Sequence, residues 1–376
     1  MVFEPGKIKG MVTRNRFVRS ATYDGLAERD GRVSAGQMRL YADMADGGVG
    51  LIVSGIACVH PGGRISPVQN SIAGDEFTPG LQRLTRAVHD RGAKIALQLF
   101  HGGREAKYIK TRNAVPLAPS VVEADPYYEG VHRAMTEDEI REVVAAFGDG
   151  AQRARIAGFD AVQVHGAHAY LLSQFLSPHT NRRQDEWGGS MDNRLRLHRE
   201  IYSDIRRKGG PDYPVLIKLG VEDGFPGGLR FAEGKQAALR LAELGFDALE
   251  ISQGLRGERY EGTEYRARID APDREAYNRA WCREIKARVN VPVMLGGGLR
   301  TLSLMEEIVQ DQEADFVSLC RPLICEPGLI NGWRAGRDKK ARCLSCNNCV
   351  KMIFKGKPAR CIHSPAEKDP GTAVLV

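Results

Sequence analysis

The sequence lacks any long hydrophobic run. None of its apolar stretches approaches the ~20 residues needed to cross a membrane. The first residues, MVFEPGKIKGMVTRNRF, also lack the apolar core of a secretion signal. Hydrophobic residues make up 42% and charged residues 27% of the 376 residues, as in soluble globular proteins. We therefore expect a cytoplasmic protein that has no contact with membranes.

Runs of like charge are scarce as well. The formal net charge is +7, from 54 Lys and Arg against 47 Asp and Glu, and the basic residues look scattered. Such a distribution predicts a solvated surface with weak attraction for anionic cofactors, and it gives no case for nucleic-acid binding. Eight cysteines in a chain of this size do not indicate a disulfide scaffold.

The sequence has no Gly-x-Gly-x-x-Gly after its first predicted strand, which disfavours a doubly wound open sheet. Eight short apolar runs instead alternate with amphipathic stretches, such as 138–157 and 231–244, which have helical spacing. Strands that alternate with helices indicate parallel pairing, and eight such units predict a closed (β/α)8 barrel, the TIM barrel. The predicted strands are 16–21, 49–54, 94–99, 160–165, 215–220, 247–252, 292–296 and 315–320.

A bare barrel of this class needs about 250 residues, so the rest must form insertions and a tail. We expect residues 1–13 to cover the N-terminal end of the barrel. Long loops at 100–135 and 253–272 both follow strands and should overhang the opposite, active-site face. Since no low-complexity linker is evident, we predict one domain, 1–335, followed by a tail, 336–376.

The stretch from His165 to Arg194 follows a buried strand and carries candidate catalytic groups. His165 and His168 are three residues apart, with Tyr170 two further on. In a turn or first helical turn, this spacing places the imidazoles on one face, where both can donate to one oxygen atom. A phenol with a free pKa near ~10 stays protonated at neutral pH and can serve as an acid. Buried structural histidines are the alternative, but the C-terminal end of a barrel strand favours function.

This segment resembles the signature of the old yellow enzyme family of FMN-dependent ene-reductases. In that family a His-x-x-His or His-x-x-Asn pair binds the substrate carbonyl, and a Tyr two residues later is the proton donor. The resemblance implies these roles for His165, His168 and Tyr170, and it implies a barrel that binds FMN.

A phosphate site is predicted where the last two strands end. Gly297 and Gly298 follow strand seven, and Cys320 and Arg321 follow strand eight, the two loops between which barrels commonly hold phosphate. Glycines let backbone N–H groups approach phosphate oxygens, and Arg adds a planar charged fork. The resemblance assigns this site to FMN, although the family usually has Gly in place of Cys320.

Other strand ends resemble the flavin contacts of the family. Gln98 in QLFHGGR matches an amide at the flavin's pyrimidine edge, and Lys218 stands where the family usually has Arg. A lysine in so apolar a run needs an anionic partner. The strand-one stretch Ser20, Ala21, Thr22 and Tyr23 is expected along the central ring, with Tyr23 replacing the usual Thr or Cys. Gly55 matches a small residue that leaves room for the ring.

The tail carries a four-cysteine motif, Cys343-x2-Cys346-x2-Cys349-x11-Cys361. Four thiolates at this spacing can bind one zinc ion or hold a 4Fe-4S cluster. The spacing resembles the cluster motif of trimethylamine dehydrogenase and 2,4-dienoyl-CoA reductase, larger relatives of the old yellow enzymes. Because an iron-sulphur centre would have an electronic role beside a redox cofactor, and because these relatives use one, we predict the cluster, with zinc as the alternative.

The combined prediction is an NAD(P)H-dependent flavoenzyme that transfers a hydride from reduced FMN to the C=C bond of an α,β-unsaturated carbonyl. NADH or NADPH would reduce the flavin in the same pocket. The alternatives are a dehydrogenase or dienoyl reductase that exchanges electrons with a protein partner, and a non-catalytic electron carrier. A homo-oligomer is compatible with the sequence.

Overall fold

Eight parallel strands close into a barrel in the computed structural model, which describes residues 1–110, 115–258 and 263–364. The barrel strands, in chain order, are Phe17–Arg19 (β3), Leu51–Cys58 (β4), Lys94–Phe100 (β6), Ala161–Gly166 (β9), Val215–Gly220 (β10), Ala248–Ser252 (β11), Val293–Gly296 (β12) and Phe316–Leu319 (β13). Each pairs in parallel with the next, and pairing of β13 and β4 with β3 completes the ring. The predicted (β/α)8 fold is confirmed.

Helices connect and flank these strands. Their bounds are Ala35–Asp46 (α1), Thr78–His89 (α2), Lys107–Lys110 (α3), Glu137–Ile156 (α4), Leu171–Leu176 (α5), Met191–Arg194 (α6), Arg196–Gly209 (α7), Phe231–Leu244 (α8), Arg279–Lys286 (α9), Leu302–Gln310 (α10), Arg321–Cys325 (α11), Leu329–Arg334 (α12) and Asn348–Phe354 (α13). The two helices predicted from spacing are α4 and α8. Thr136 and Glu139 form a capping box that starts α4, and α8 ends at Gly245, which takes the left-handed conformation.

A repeated aspartate ties the strands to one another. Asp160, Asp247 and Asp315 each precede a barrel strand within the related phrases GFDAVQV, GFDALEI and ADFVSL. Each accepts a backbone hydrogen bond from the start of a neighbouring strand that comes earlier in the chain: Ile95 at 2.9 Å, Val215 at 2.8 Å and Val293 at 2.8 Å. The repeat is therefore a device that fixes the relative height of adjacent strands.

The N-terminal hairpin covers one end of the barrel, as predicted. Its antiparallel strands are Gly6–Ile8 (β1) and Met11–Thr13 (β2). Ile8 and Met11 are buried in a cluster with side chains from inside the barrel, among them Phe316. A Cβ at Gly6 would lie 2.4 Å from the Phe316 ring, so only glycine permits this close approach.

The insertions and the tail lie around the opposite end. Short strands Asn70–Ser71 (β5), Leu117–Ala118 (β7) and Arg133–Ala134 (β8) occur in the loops. Residues 111–114 and 259–262, within the two predicted long loops, and residues 365–376 of the predicted tail lie outside the described residues. The tail packs on the barrel rather than extending from it, because Ala341 and Ala359 donate backbone hydrogen bonds to Arg300 and Asp24. Within the described ranges, no helix is both long and apolar enough to span a membrane.

Candidate active site

A cavity of about 510 Å³ opens at the C-terminal ends of the barrel strands. This volume is within the ~300–1,000 Å³ range of sites for small molecules and cofactors. Most residues singled out from the sequence line it: Ser20, Ala21, Thr22, Tyr23, Gln98, His165, His168, Tyr170, Lys218, Gly297, Gly298, Cys320 and Arg321. The fold thus brings together side chains that are up to 301 positions apart in the chain.

The two histidines meet at the end of β9, but in a turn rather than on a helix. His168 and Ala169 have φ values of +60° and +64°, a conformation that non-glycine residues rarely adopt. Their N–H groups donate to the carbonyls of Gln253 and Gly254 at 3.1 Å each, so the loop after β11 holds the turn in place. The imidazole centroids of His165 and His168 are 5.0 Å apart and nearly perpendicular. Strain of this kind is typical of functional sites.

Both imidazoles are neutral at physiological pH. Burial, followed by the neighbouring His168 and Lys218, lowers the pKa of His165 well below its ordinary value. Burial also lowers the pKa of His168 to about 4, although Glu264 opposes this shift. The His165 Nδ1 accepts from the Ala167 N–H at 3.3 Å, which leaves Nε2 to carry the proton. His165 therefore offers a neutral N–H donor to the cavity.

Tyr170 is packed between rings and stays protonated. Its ring centroid lies 4.5 Å from that of Phe100 and 5.0 Å from that of His165. Burial raises the pKa of its phenol to about 12, while the nearby Arg256 favours the phenolate. A phenol that is protonated yet lies beside a fixed cation can release a proton when a stronger base appears.

Arg256, Glu264 and Ser252 belong to the site but were not predicted. Arg256 lies 5.9 Å from the Tyr170 ring centroid and pairs with Glu264 at 2.7 Å. Because of this pairing, the pKa of Glu264 falls to about 2 although burial opposes the shift. Ser252, the last residue of β11, lies with its Oγ 2.7 Å from His168 Nε2. Only the position of Ser252 at a strand end could have signalled this role.

Lys218 has the anionic partner that its burial requires, and that partner is Glu250 on the adjacent strand. Lys218 Nζ lies 3.1 Å from the Glu250 carboxylate and donates to Ser20 Oγ at 2.7 Å. Ser20 and Gln163 donate to Glu250 at 2.6 and 2.9 Å, and Gln98 donates to Gln163 at 2.7 Å. Burial raises the pKa of Glu250, but its partners outweigh burial and hold the pKa below the usual value. The network fixes the orientation of Lys218 and Gln98.

The strand-one residues form one wall of the cavity. Tyr23 donates its hydroxyl to Ser66 at 2.6 Å, and Thr22 Oγ1 lies 3.0 Å from Cys320 Sγ. The predicted placement of Gly55 after strand two is wrong: Gly55 lies inside β4, where the strand pairing shifts register. A Cβ at Gly55 would lie 2.9 Å from the Thr22 carbonyl oxygen, so glycine there permits the close approach of two backbones.

The predicted phosphate end is built from glycines and Arg321. Gly297 and Gly298 have φ values of +119° and +73°, and a Cβ at Gly297 would lie 2.8 Å from the Tyr277 ring. Arg321 is 8% exposed and donates to the Arg266 carbonyl at 2.7 Å. It also donates to Asn347 in the tail. Glycine backbone and a nearly buried guanidinium suit a bound phosphate.

The four tail cysteines surround a second, much smaller cavity. Cys343, Cys346, Cys349 and Cys361 all line it, and Cys349 also lines the large cavity. Cys343 and Cys349 are buried, whereas Cys346 is exposed. Burial raises the pKa of the Cys349 thiol to about 11. In the described part of the chain, no group of three or more His, Cys, Asp or Glu side chains is placed to hold a metal ion.

Comparison with known proteins agrees with this architecture. The model of the NADH:flavin oxidoreductase / NADH oxidase family matches residues 1–340. The chain belongs to this family. It is 35% identical to an NADH oxidase of Thermoanaerobacter brockii over 97% of the chain and 56% of the relative. The chain thus spans about half the length of that relative.

Two solved structures share the fold. A complex of 2-naphthoyl-CoA reductase with 2-naphthoyl-CoA superposes with a TM-score of 0.89 at 26% identity, over 97% of this chain and 57% of that one. An old yellow enzyme homologue from Zymomonas mobilis superposes with a TM-score of 0.76 at 26% identity, over 90% and 94% of the two chains. The predicted relationship to the old yellow enzymes is confirmed.

Proposed function

We propose that this protein is an FMN-dependent NAD(P)H oxidoreductase that reduces the activated C=C bond of α,β-unsaturated carbonyl compounds. The observation that carries the proposal is the grouping of His165, His168 and Tyr170 at one wall of a cavity. The opposite wall offers Gly297, Gly298 and Arg321. FMN, once bound and reduced by NADH or NADPH, would supply the hydride that the β-carbon takes up.

The residues present fit an FMN molecule. Arg321 and the glycine backbone would hold the phosphate, since they combine a planar cation with backbone N–H groups that no side chain shields. Gln98 and Lys218 would meet the polar pyrimidine edge, and their orientation is already fixed by Gln163 and Glu250.

On the substrate side, the chain supplies an oxygen site and an acid. His165 Nε2–H donates to the carbonyl oxygen. His168 can add an Nδ1–H donor when its Nε2 accepts the Ser252 hydroxyl. Such donors bind most strongly when negative charge develops on the oxygen. Tyr170 delivers a proton to the α-carbon, and Arg256 stabilises the phenolate that remains.

Rapid mixing tests this proposal. The FMN-loaded protein is reduced with NADPH or NADH under anaerobic conditions and mixed with 2-cyclohexenone or, as control, cyclohexanone. We expect reoxidation of the flavin with the enone alone, and the saturated ketone as product. Reoxidation that is no faster with the enone than with cyclohexanone would refute ene-reduction.

A second candidate function is electron exchange with a protein partner through a 4Fe-4S cluster in the tail. It is supported by the four cysteines around one cavity and by Cys349, which belongs to the walls of both cavities. The alternative occupant is a structural zinc ion, which four cysteine sulfurs can bind in a tetrahedron. Metal analysis of anaerobically prepared protein decides between them: about four iron atoms with labile sulphide support the cluster. Stoichiometric zinc without sulphide, or no metal, excludes it.

A further inference from the structure

The net positive charge of this protein coincides with that of its tail. Residues 336–364 contain eight Lys or Arg and one Asp, a net charge of +7 that equals the formal net charge of the whole chain. The other 46 Lys and Arg are scattered along the chain, where 46 Asp and Glu balance them. All eight basic side chains are exposed. Among the described residues, only Arg342 of the eight forms an ion pair, with Glu326 at 3.5 Å.

Large apolar side chains are exposed among these cations. Leu344, Phe354 and Ile362 are 53%, 68% and 59% exposed. Lys351 and Lys355 lie four residues apart at the end of α13, and Phe354 is adjacent to Lys355. Apolar side chains rimmed by charge are typical of protein docking surfaces rather than of a plain solvated surface. We call Leu344, Lys351, Phe354, Lys355, Arg360 and Ile362 the tail surface.

Part of the tail surface adjoins the cysteine cavity. Leu344 and Ile362 line that cavity and are adjacent in sequence to Cys343 and Cys361, while Cys346, also in its lining, is exposed. On the inner side, Arg321, Ser345 and Cys349 are walls of both cavities. A protein bound here would therefore lie beside the cysteines and would also contact Phe354 at the wall of the large cavity.

We propose that the tail surface binds an acidic electron-carrier protein. The reason for docking, electron exchange with a protein partner, rests on the second candidate function. The docking itself depends only on residues of this chain. The net positive charge of the tail attracts an acidic partner and speeds its association. The exposed apolar side chains stabilise the complex when they are buried against the partner. Two molecules of reduced carrier, each losing one electron, supply the electron pair that one enone takes up with two protons.

Binding of a plant-type ferredoxin, an acidic one-electron carrier, tests the proposal by calorimetry on the full chain. We expect the Kd to rise at least tenfold between 20 and 300 mM NaCl. The variant Lys351→Glu/Lys355→Glu/Arg360→Glu should weaken binding at least tenfold at low salt. The control Lys7→Glu/Arg83→Glu/Arg86→Glu makes the same change in net charge at exposed positions on the hairpin and α2, and should change the Kd less than threefold. Phe354→Ser should weaken binding without changing charge.

Several results would overturn the proposal: no binding by the wild-type chain at low salt, equal weakening by both triple variants, or equal affinity for the basic carrier cytochrome c. Self-association abolished by the tail variant would assign the surface to a second copy instead. Circular dichroism confirms folding of each variant. Because the readout is binding, it is independent of enone reduction: docking without ene-reduction would refute only the proposed reaction, and ene-reduction without docking would refute only this inference.

Discussion

The buried pair of Lys218 and Glu250 makes a specific prediction about both stability and flavin chemistry. Their side chains are 5% and 2% exposed. The change Glu250→Gln keeps the shape of the side chain and removes its charge. Lys218 would then be a buried cation without a compensating anion, which favours unfolding. Once FMN is bound, the same uncompensated cation should stabilise the anionic reduced flavin and raise its reduction potential.

The magnitude follows from the burial and the number of partners. Removal of one member of a buried ion pair typically costs about 3–5 kcal/mol. The amide introduced by Glu250→Gln can still accept from Ser20 or from Gln163, but not from both, because they donate to different carboxylate oxygens. We therefore expect a loss of about 3–5 kcal/mol. The double variant Glu250→Gln/Lys218→Met removes both charges and should recover at least about 2 kcal/mol, because a neutral apolar replacement avoids the unpaired cation.

Urea unfolding of the FMN-free protein at pH 7 measures these differences, and dye equilibration measures the potential of the loaded single variant. Lys235 and Glu284 form an exposed pair at 2.8 Å. The control Glu284→Gln should therefore cost less than about 1 kcal/mol. A Glu250→Gln variant as stable as this control would refute the reasoning. So would a double variant no more stable than the single one, or a lowered flavin potential.

Four further predictions concern single residues. His165→Ala or His168→Ala should weaken phenol binding by about 1.5–3 kcal/mol while FMN stays bound; unchanged affinity in phenol titrations would remove both from the carbonyl site. Tyr170→Phe should slow enone reduction ~10²–10⁴-fold and spare flavin reduction; an unchanged oxidative half-reaction in stopped-flow would exclude it as the donor. Arg321→Ala should speed loss of FMN on dialysis, since the phosphate loses a bidentate partner; equal retention would place the phosphate elsewhere. Burial lowers the pKa of His198 from 6.5 to about 3, so the folded state resists its protonation and the free energy of unfolding should fall as the pH drops below 6.5. Between pH 7 and 5, the His198→Phe variant should lose about 2 kcal/mol less unfolding free energy than the wild type. Equal losses in urea unfolding would show that His198 does not contribute.

The barrel was predictable because its signal is periodic and repeated. Eight apolar runs separated by amphipathic stretches allow few other architectures. The repeated aspartate marked three strand starts, and its hydrogen bonds explain why the phrase recurs. The short strands β5, β7 and β8 carry no such period, because each has only two residues.

The candidate site was predictable where a strand end or a motif marks a residue, as with His165 and Arg321. The site was not predictable where the residue that pairs with a marked side chain lies within a strand or a loop. Glu250 reads as one polar residue in an apolar strand, and only the register of β10 against β11 places it beside Lys218. Arg256 and Glu264 belong to a charged loop in which no local pattern distinguishes them from solvated residues. Gly55 was misplaced because a shift in strand pairing cannot be read from composition.

The side chain of Asn347 has a consequence for how the two cavities are filled. It lies between Cys346 and Cys349 in a left-handed conformation, accepts from Arg321 and donates to the Tyr265 carbonyl at 2.7 Å. Any ion or cluster that orders this cysteine segment therefore also orders the guanidinium expected to hold phosphate. Binding equilibria that share an element are linked reciprocally: each ligand must tighten the other by the same factor. Flavin affinity should thus report on the state of the cysteines, and Asn347→Ala should make the two occupancies independent.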